Sequence, residues 1–163
     1  MPLSPNKEEL AYQELEYELI SNDRVREEWR LNGALHSVND EPAVIINDGD
    51  ELMWYTHGLR NRDGGPAWVQ GERGVFMWYN AGQLHRKDGP ALVSVHSQQW
   101  YEHGLMHNAT GPARLENRAG GTYIQWWLNG TEYDSIDDWA QAGNVDGQLL
   151  VMTKLKYLGD IAK

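Results

Sequence analysis

The sequence predicts a mainly-β protein: an elongated antiparallel meander of about five β-hairpin repeats, with an N-terminal helix and a C-terminal helical segment as caps. Three observations predict this fold. A segment that begins with Trp recurs along the chain, each copy carries a hairpin pattern, and both ends depart from it. The predicted organisation is an N-terminal helical cap over residues 1–27, a repeat array over 28–134 and a C-terminal helical cap over 135–163, all in one structural domain.

The N-terminal segment is predicted to be a helix over residues 4–22. Ser4 is a candidate N-cap, Pro5 suits the first turn, and Leu15 and Leu19 share one helical face. The segment is also acidic, because residues 1–27 hold seven carboxylates and three basic side chains.

The repeat is visible by aligning segments on their first Trp. Copy 1 is "WRLNGALHSVNDEPAVI" from Trp29, copy 2 "WYTHGLRNRDGGPAWV" from Trp54, copy 3 "WYNAGQLHRKDGPALV" from Trp78 and copy 4 "WYEHGLMHNATGPARL" from Trp100; a truncated copy 5 starts at Trp126. A Gly follows each aligned Trp by four residues: Gly33, Gly58, Gly82, Gly104 and Gly130. A Pro-Ala pair follows in the first four copies, at Pro42, Pro66, Pro90 and Pro112. These Gly and Pro residues are assigned to the fold.

Each copy is predicted to form two strands. Aromatic and β-branched runs such as "ELMWYTH" and "VFMWYN" end at the Gly, and short apolar strands such as "AWV" and "ALVSV" follow the Gly-Pro turn. This gives roughly nine or ten strands. Equivalent residues of neighbouring copies are then about 10 Å apart, so the Trp residues should form a ladder and Ala43, Ala67, Ala91 and Ala113 a second row.

The C-terminal segment carries helix signals. Ser135 and Asp138 form a capping-box pattern in "DSIDDWAQAG", which stops at Gly143. "DGQLLVMTKLKYLGDIAK" is predicted to be a second helix, with a strand at "LLVM" as the alternative. Helices at both ends are expected to cover the open sheet edges.

Composition excludes several classes of function. The chain has no Cys, which excludes disulfides and thiolate zinc sites, and its net charge of −10 opposes direct binding to nucleic acid or anionic membranes. Neither a signal peptide nor an apolar run long enough to span a bilayer is visible. We therefore expect a cytoplasmic protein with no membrane contact.

The repeat unit resembles a MORN-type repeat in the variant W-Y-x-x-G-x-x-H-R-x-D-G-P-A, over about residues 28–134 and most closely from Trp78 to Ala91. Tandem copies of this variant occur in bacteriophage, giant-virus and bacterial proteins. The Tyr-x-Gly-x-Trp opening of ordinary MORN units is absent, so their lipid-binding roles carry over poorly. The resemblance implies an elongated twisted sheet of hairpins and a tendency toward protein interaction, with no catalytic residues.

The side chains that could do chemistry are repeated along a line, which opposes a convergent site. His36, His85 and His107 occupy one repeat position, with Asn61 and Tyr133 at the equivalents. Side chains about 10 Å apart cannot share a zinc ion whose ligands lie about 2 Å from the metal. We predict no metal, no cofactor and no catalytic residue. Instead, each His should bond its own loop, and Arg62 and Arg86 should bridge to the next copy's carboxylate or carbonyls.

The leading functional hypothesis is a non-enzymatic, phage-encoded interaction protein that binds and modulates a host protein. Its candidate interaction surface comprises Trp54, Tyr55, Arg60, Arg62, Trp78, Tyr79, His85, Arg86, Lys87, Trp100, Tyr101 and His107, since Trp, Tyr and Arg dominate protein interfaces. Two alternatives stay open. One is an acidic nucleic-acid mimic that inhibits a DNA- or RNA-handling enzyme, and the other is a glycan or small-ligand binder that uses the Trp ladder.

Overall fold

The computed structural model describes residues 17–22 and 26–158, and side chains over 26–158. Its main element is one 12-stranded antiparallel sheet, eleven strands of which follow each other as a meander. In sheet order they are β1 (Tyr17–Asn22), β2 (Arg26–Leu31), β4 (Val44–Ile46), β5 (Glu51–Met53), β8 (Trp68–Gln70), β9 (Val75–Met77), β12 (Leu92–Val93), β13 (Ser97–Gln99), β16 (Arg114–Arg118), β17 (Gly121–Leu128) and β18 (Thr131–Tyr133). The mainly-β antiparallel meander predicted from the sequence is confirmed.

Short hairpin ribbons extend the sheet on one side. Strand β3 (Ala34–Leu35) pairs with β2, and three separate ribbons pair β6 (Tyr55–Thr56) with β7 (Leu59–Arg60), β10 (Tyr79–Asn80) with β11 (Gln83–Leu84), and β14 (Tyr101–Glu102) with β15 (Leu105–Met106). A 3-10 turn at Asn47–Gly49 connects β4 to β5.

The ribbons turn through two residues that both have positive φ. The pairs are Asn32-Gly33, His57-Gly58, Ala81-Gly82, His103-Gly104 and Asn129-Gly130, with φ between 46° and 50° at the first residue and between 76° and 82° at the Gly. Such type I′ turns match the right-handed twist of the flanking strands. The Gly four residues after each aligned Trp is therefore required by the backbone.

The aligned Trp connects each ribbon to the main sheet. In copies 1 to 4 its N–H donates to the carbonyl of the Ala after Pro at 2.8 Å, and its own carbonyl accepts an N–H from the residue that follows the ribbon. The four Ala residues are 0–1% exposed, so the second row predicted from the sequence lies fully buried beside the Trp residues. A side chain larger than Ala at these fully buried positions is expected to cause overpacking.

Two helices complete the C-terminal end, α1 (Ile136–Ala142) and α2 (Gly147–Leu158). The Ser135 hydroxyl accepts the Asp138 N–H at 3.1 Å, as the capping pattern predicted. Trp139 is fully buried, lies 5.0 Å from Trp126 between ring centroids, and donates its indole N–H to the Asn108 carbonyl at 3.0 Å. The alternative of a strand at "LLVM" is wrong, because these residues lie in α2.

The N-terminal prediction is wrong over residues 17–22. These residues form the edge strand β1, which pairs with β2 from Tyr17 opposite Leu31 to Asn22 opposite Arg26. Local helical spacing was outweighed by hydrogen bonds to a neighbouring strand, a non-local gain that the segment's own sequence does not display. With β1 the meander has eleven strands, above the nine or ten expected. The rest of the predicted helix, residues 4–16, lies outside the described residues.

Candidate interaction surface

The ring nitrogens predicted to bond their own loops instead connect successive copies. The Nδ1 atoms of His36, His85 and His107 accept backbone N–H groups from the next copy's turn, at 3.3 Å from His57, 3.2 Å from His103 and 3.1 Å from Asn129. The Asn61 side-chain oxygen accepts the Ala81 N–H at 3.1 Å in the same way. The N–H of the first turn residue has no partner in the ladder of a two-residue hairpin, so the preceding copy supplies one.

The environment of two of these His side chains favours their neutral form. The pKa values of His36 and His85 lie below the ordinary value of 6.5, chiefly because burial penalises the charged ring. The rings of His57 and His103 lower these pKa values further, at centroid distances of 4.6 Å and 4.4 Å. A neutral ring keeps a lone pair on Nδ1, which the contact to the next copy requires.

Arginine side chains cover the indole rings of copies 2 and 3. The Arg62 guanidinium carbon lies 3.7 Å from the Trp54 ring centroid, and Arg86 lies 3.9 Å from Trp78. Arg62 also donates twice to Asp40, at 2.7 and 2.8 Å, which lowers the pKa of that carboxyl. The predicted bridge therefore exists for Arg62, but its carboxylate belongs to the preceding copy and not to the next one.

The tyrosines of the predicted surface point away from the Trp row, because alternate residues of a strand face opposite sides. The Tyr55 hydroxyl contacts Met53 Sδ at 3.5 Å and the Tyr79 hydroxyl contacts Met77 Sδ at 3.6 Å, whereas the Tyr101 hydroxyl donates to Gln99 at 3.1 Å. Arg60 lies among these aromatics, with its guanidinium carbon 4.3 Å from the centroid of Trp68. The predicted set is thus divided between two faces.

The predicted Trp/Tyr ladder is largely covered by the protein itself. Trp54 is 5% exposed, and Trp78, Trp100 and the three tyrosines are half-buried. Lys87 is exposed, whereas His85 and His107 belong to the contacts between copies. The tightly packed members of the set therefore make contacts within the protein.

A row of apolar side chains runs across the sheet on the same face as the Trp residues. The strand register places side by side Ile45, Leu52, Val69, Phe76, Val93, Gln98, Leu115 and Ile124, which we call the sheet-face row. Seven strand spacings make it about 33 Å long. Phe76 is 37% exposed, Gln98 is exposed and the other members are half-buried.

The sheet-face row ends in a cleft of about 620 Å³ between the sheet and α2, lined by Gln98, Leu115 and Ile124 from the row and by Lys156 and Tyr157 from the helix. Sequence reasoning missed this row, although each member lies two residues from an aligned Trp or Ala. It also missed three exposed apolar side chains on α2: Val151, Met152 and Leu155.

No protein-family model, curated protein or solved structure matches this chain. Within residues 17–22 and 26–158, no group of three or more His, Asp or Glu side chains is placed to hold a metal ion. Across that same part of the chain, none of the helices has the length and apolar character needed to cross a membrane.

Proposed function

We propose that the chain is a MORN-like repeat protein without catalytic activity, and that it binds a protein partner over the sheet-face row. The carrying observation is the row itself: seven apolar side chains and Gln98 in register across the sheet, incompletely covered by the described residues. A contiguous apolar strip of this kind is typical of interaction surfaces. Covering one half-exposed side chain of this size contributes about 1 kcal/mol, so the row can supply a substantial part of a binding energy.

The His and Arg side chains that could take part in catalysis or ligand binding support this proposal, because they already have partners within the protein. The His rings accept N–H groups from neighbouring copies, and the Arg62 and Arg86 guanidinium groups cover Trp54 and Trp78. Glycan binding on the Trp ladder would need free indole faces, and these two are occupied. The repeat resembles those of bacteriophage, giant-virus and bacterial proteins, and a phage origin, which we propose, would make the partner a bacterial host protein.

The test compares two substitutions with the same chemistry in different places. Gln98→Glu adds a carboxylate inside the sheet-face row, whereas Gln83→Glu adds the same group on the exposed ribbon strand β11. Affinity capture from bacterial lysate should yield one stoichiometric partner with the wild type and with Gln83→Glu, and much less of it with Gln98→Glu. Capture of no stoichiometric protein, or equal capture by all three chains, would contradict the proposal.

A further inference from the structure

The loop after each ribbon has a regular task in copies 2 and 3. Its Arg lies over the Trp ring of the same copy and donates to the carbonyl of the Pro that closes the loop, at 3.3 Å from Arg62 to Pro66 and 3.3 Å from Arg86 to Pro90. One guanidinium thus closes the loop and covers the indole.

Copy 4 keeps the side-chain bond that closes the loop, but it has no side chain that covers the indole. Asn108 occupies the Arg position, and its amide donates to the Pro112 carbonyl at 2.8 Å. An Asn side chain is too short to reach over the indole, and within the described residues no cation or aromatic ring stacks on Trp100. In copy 5 the equivalent Trp126 is covered by Trp139. Trp29 lies opposite Leu19 of β1, whose side chains lie outside the described residues.

The place of the missing guanidinium is a recess of about 240 Å³ between copies 3 and 4. It is lined by Trp100, Glu102, His107, Asn108 and Thr110, and by Arg86 and Lys87 of the preceding loop. The equivalent recess between copies 1 and 2 is lined by Trp54, Arg62 and Asp40. That recess shows the chemistry that fits: a planar cation on the indole, with a carboxylate from the preceding copy.

Glu102 supplies the carboxylate that lines the Trp100 recess. Its side chain is 46% exposed, and its Oε2 lies 3.6 Å from His107 Nε2. The Arg86 guanidinium is already stacked on Trp78 and bonded to Pro90. The exposed part of the Glu102 carboxylate can therefore accept from an added guanidinium.

We infer that the Trp100 recess binds an arginine side chain of a protein partner, stacked on the Trp100 indole and paired with Glu102. This deepens the proposed function and rests on it, because the arginine belongs to the protein bound over the sheet-face row. The Trp residues and the row share one face, so a single partner can contact both.

The experiment titrates the full chain with N-acetyl-arginine methylamide and follows the Trp100 indole N–H by NMR. N-acetyl-citrulline methylamide, which has the same shape without charge, is the control ligand. Asn108→Arg should fill the recess from within, and Asn108→Gln is its uncharged control. We expect a saturable Trp100 shift with the arginine probe in the wild type and Asn108→Gln, with at least a tenfold weaker response to citrulline and in Asn108→Arg. Equal shifts from both probes, no saturable shift, or an unchanged response in Asn108→Arg would overturn the inference.

The same variants separate this inference from the proposed function. If Gln98→Glu loses the captured partner but the arginine probe does not bind, the recess inference is wrong and the proposed function stands. If the probe saturates the wild type and no partner is captured, the recess binds guanidinium and the proposed function is wrong.

Discussion

Ala81 is the best place to measure what the ribbon turns require. It has φ of 46° in the first position of a type I′ turn, where copies 1 and 5 carry Asn32 and Asn129 with φ of 50° and 49°. Left-handed backbone costs an ordinary L-residue about 1–2 kcal/mol, and Asn tolerates it better because its side chain bonds locally. The Ala81 side chain is exposed, so a replacement loses no packing.

Ala81→Asn should therefore raise the free energy of unfolding by about 1 kcal/mol, or about 2–4 °C in Tm for a domain of this size. Urea unfolding followed by Trp fluorescence measures the change. The matched control is Ala109→Asn, at an exposed loop residue with no positive φ. Asn129→Ala should lower stability by a similar amount. An unchanged or lower stability for Ala81→Asn, or an equal gain from Ala109→Asn, would refute the reasoning.

Three further predictions concern contacts between copies. The folded-state pKa values of His36 and His85 are lowered, so their contribution to stability is present above pH 6.5, the ordinary pKa value, and is lost as the pH falls below it. His85→Asn keeps an acceptor without the titrating ring and should therefore lessen this loss of stability. Urea unfolding at pH 7.5 and 5.5 measures the difference. Arg62→Ala should cost about 1–2 kcal/mol in thermal unfolding through its lost stacking and ion pair, whereas the exposed Arg73→Ala should change little. Trp139→Phe should destabilise the chain by about 1–3 kcal/mol and raise the hydrogen exchange of α1, since it removes a buried indole and its bond to the Asn108 carbonyl; unchanged exchange would contradict the role of Trp139 in the C-terminal core.

Sequence-based prediction was correct for the elements whose conformation is decided by neighbouring residues. A Gly four residues after an aligned Trp indicates a hairpin turn, and Ser135 with Asp138 indicates a helix start, because neighbouring residues decide both. Residues 17–22 were mispredicted because pairing with β2 is not local. The Arg62 contact was assigned in the wrong direction for a similar reason: spacing places copies side by side but does not tell which neighbour a long side chain reaches.

The candidate interaction surface was also mispredicted in part, because its geometry depends on non-local strand pairing. Trp54, Tyr55 and Arg60 appeared as one group because interfaces favour such residues, but strand alternation sends Trp54 and Tyr55 to opposite faces. The sheet-face row needs the register of eight strands before it can be seen. The absence of a guanidinium over Trp100, by contrast, can be predicted from the aligned copies, because Asn108 stands in place of Arg. Its meaning depends on knowing that Arg62 and Arg86 lie on their own indole rings.

The contacts from His36, Asn61, His85 and His107 to the following turn give the array a direction. Each of these copies offers one acceptor toward its C-terminal neighbour, and each following copy offers one N–H toward its N-terminal neighbour. A duplicated copy inserted within the series would have an acceptor from the copy before it and an N–H from the copy after it. The array can therefore lengthen or shorten by whole units without new contacts having to evolve. The series stops at Tyr133, which packs in the C-terminal core. New units are therefore expected to be tolerated before Trp126 and not after it.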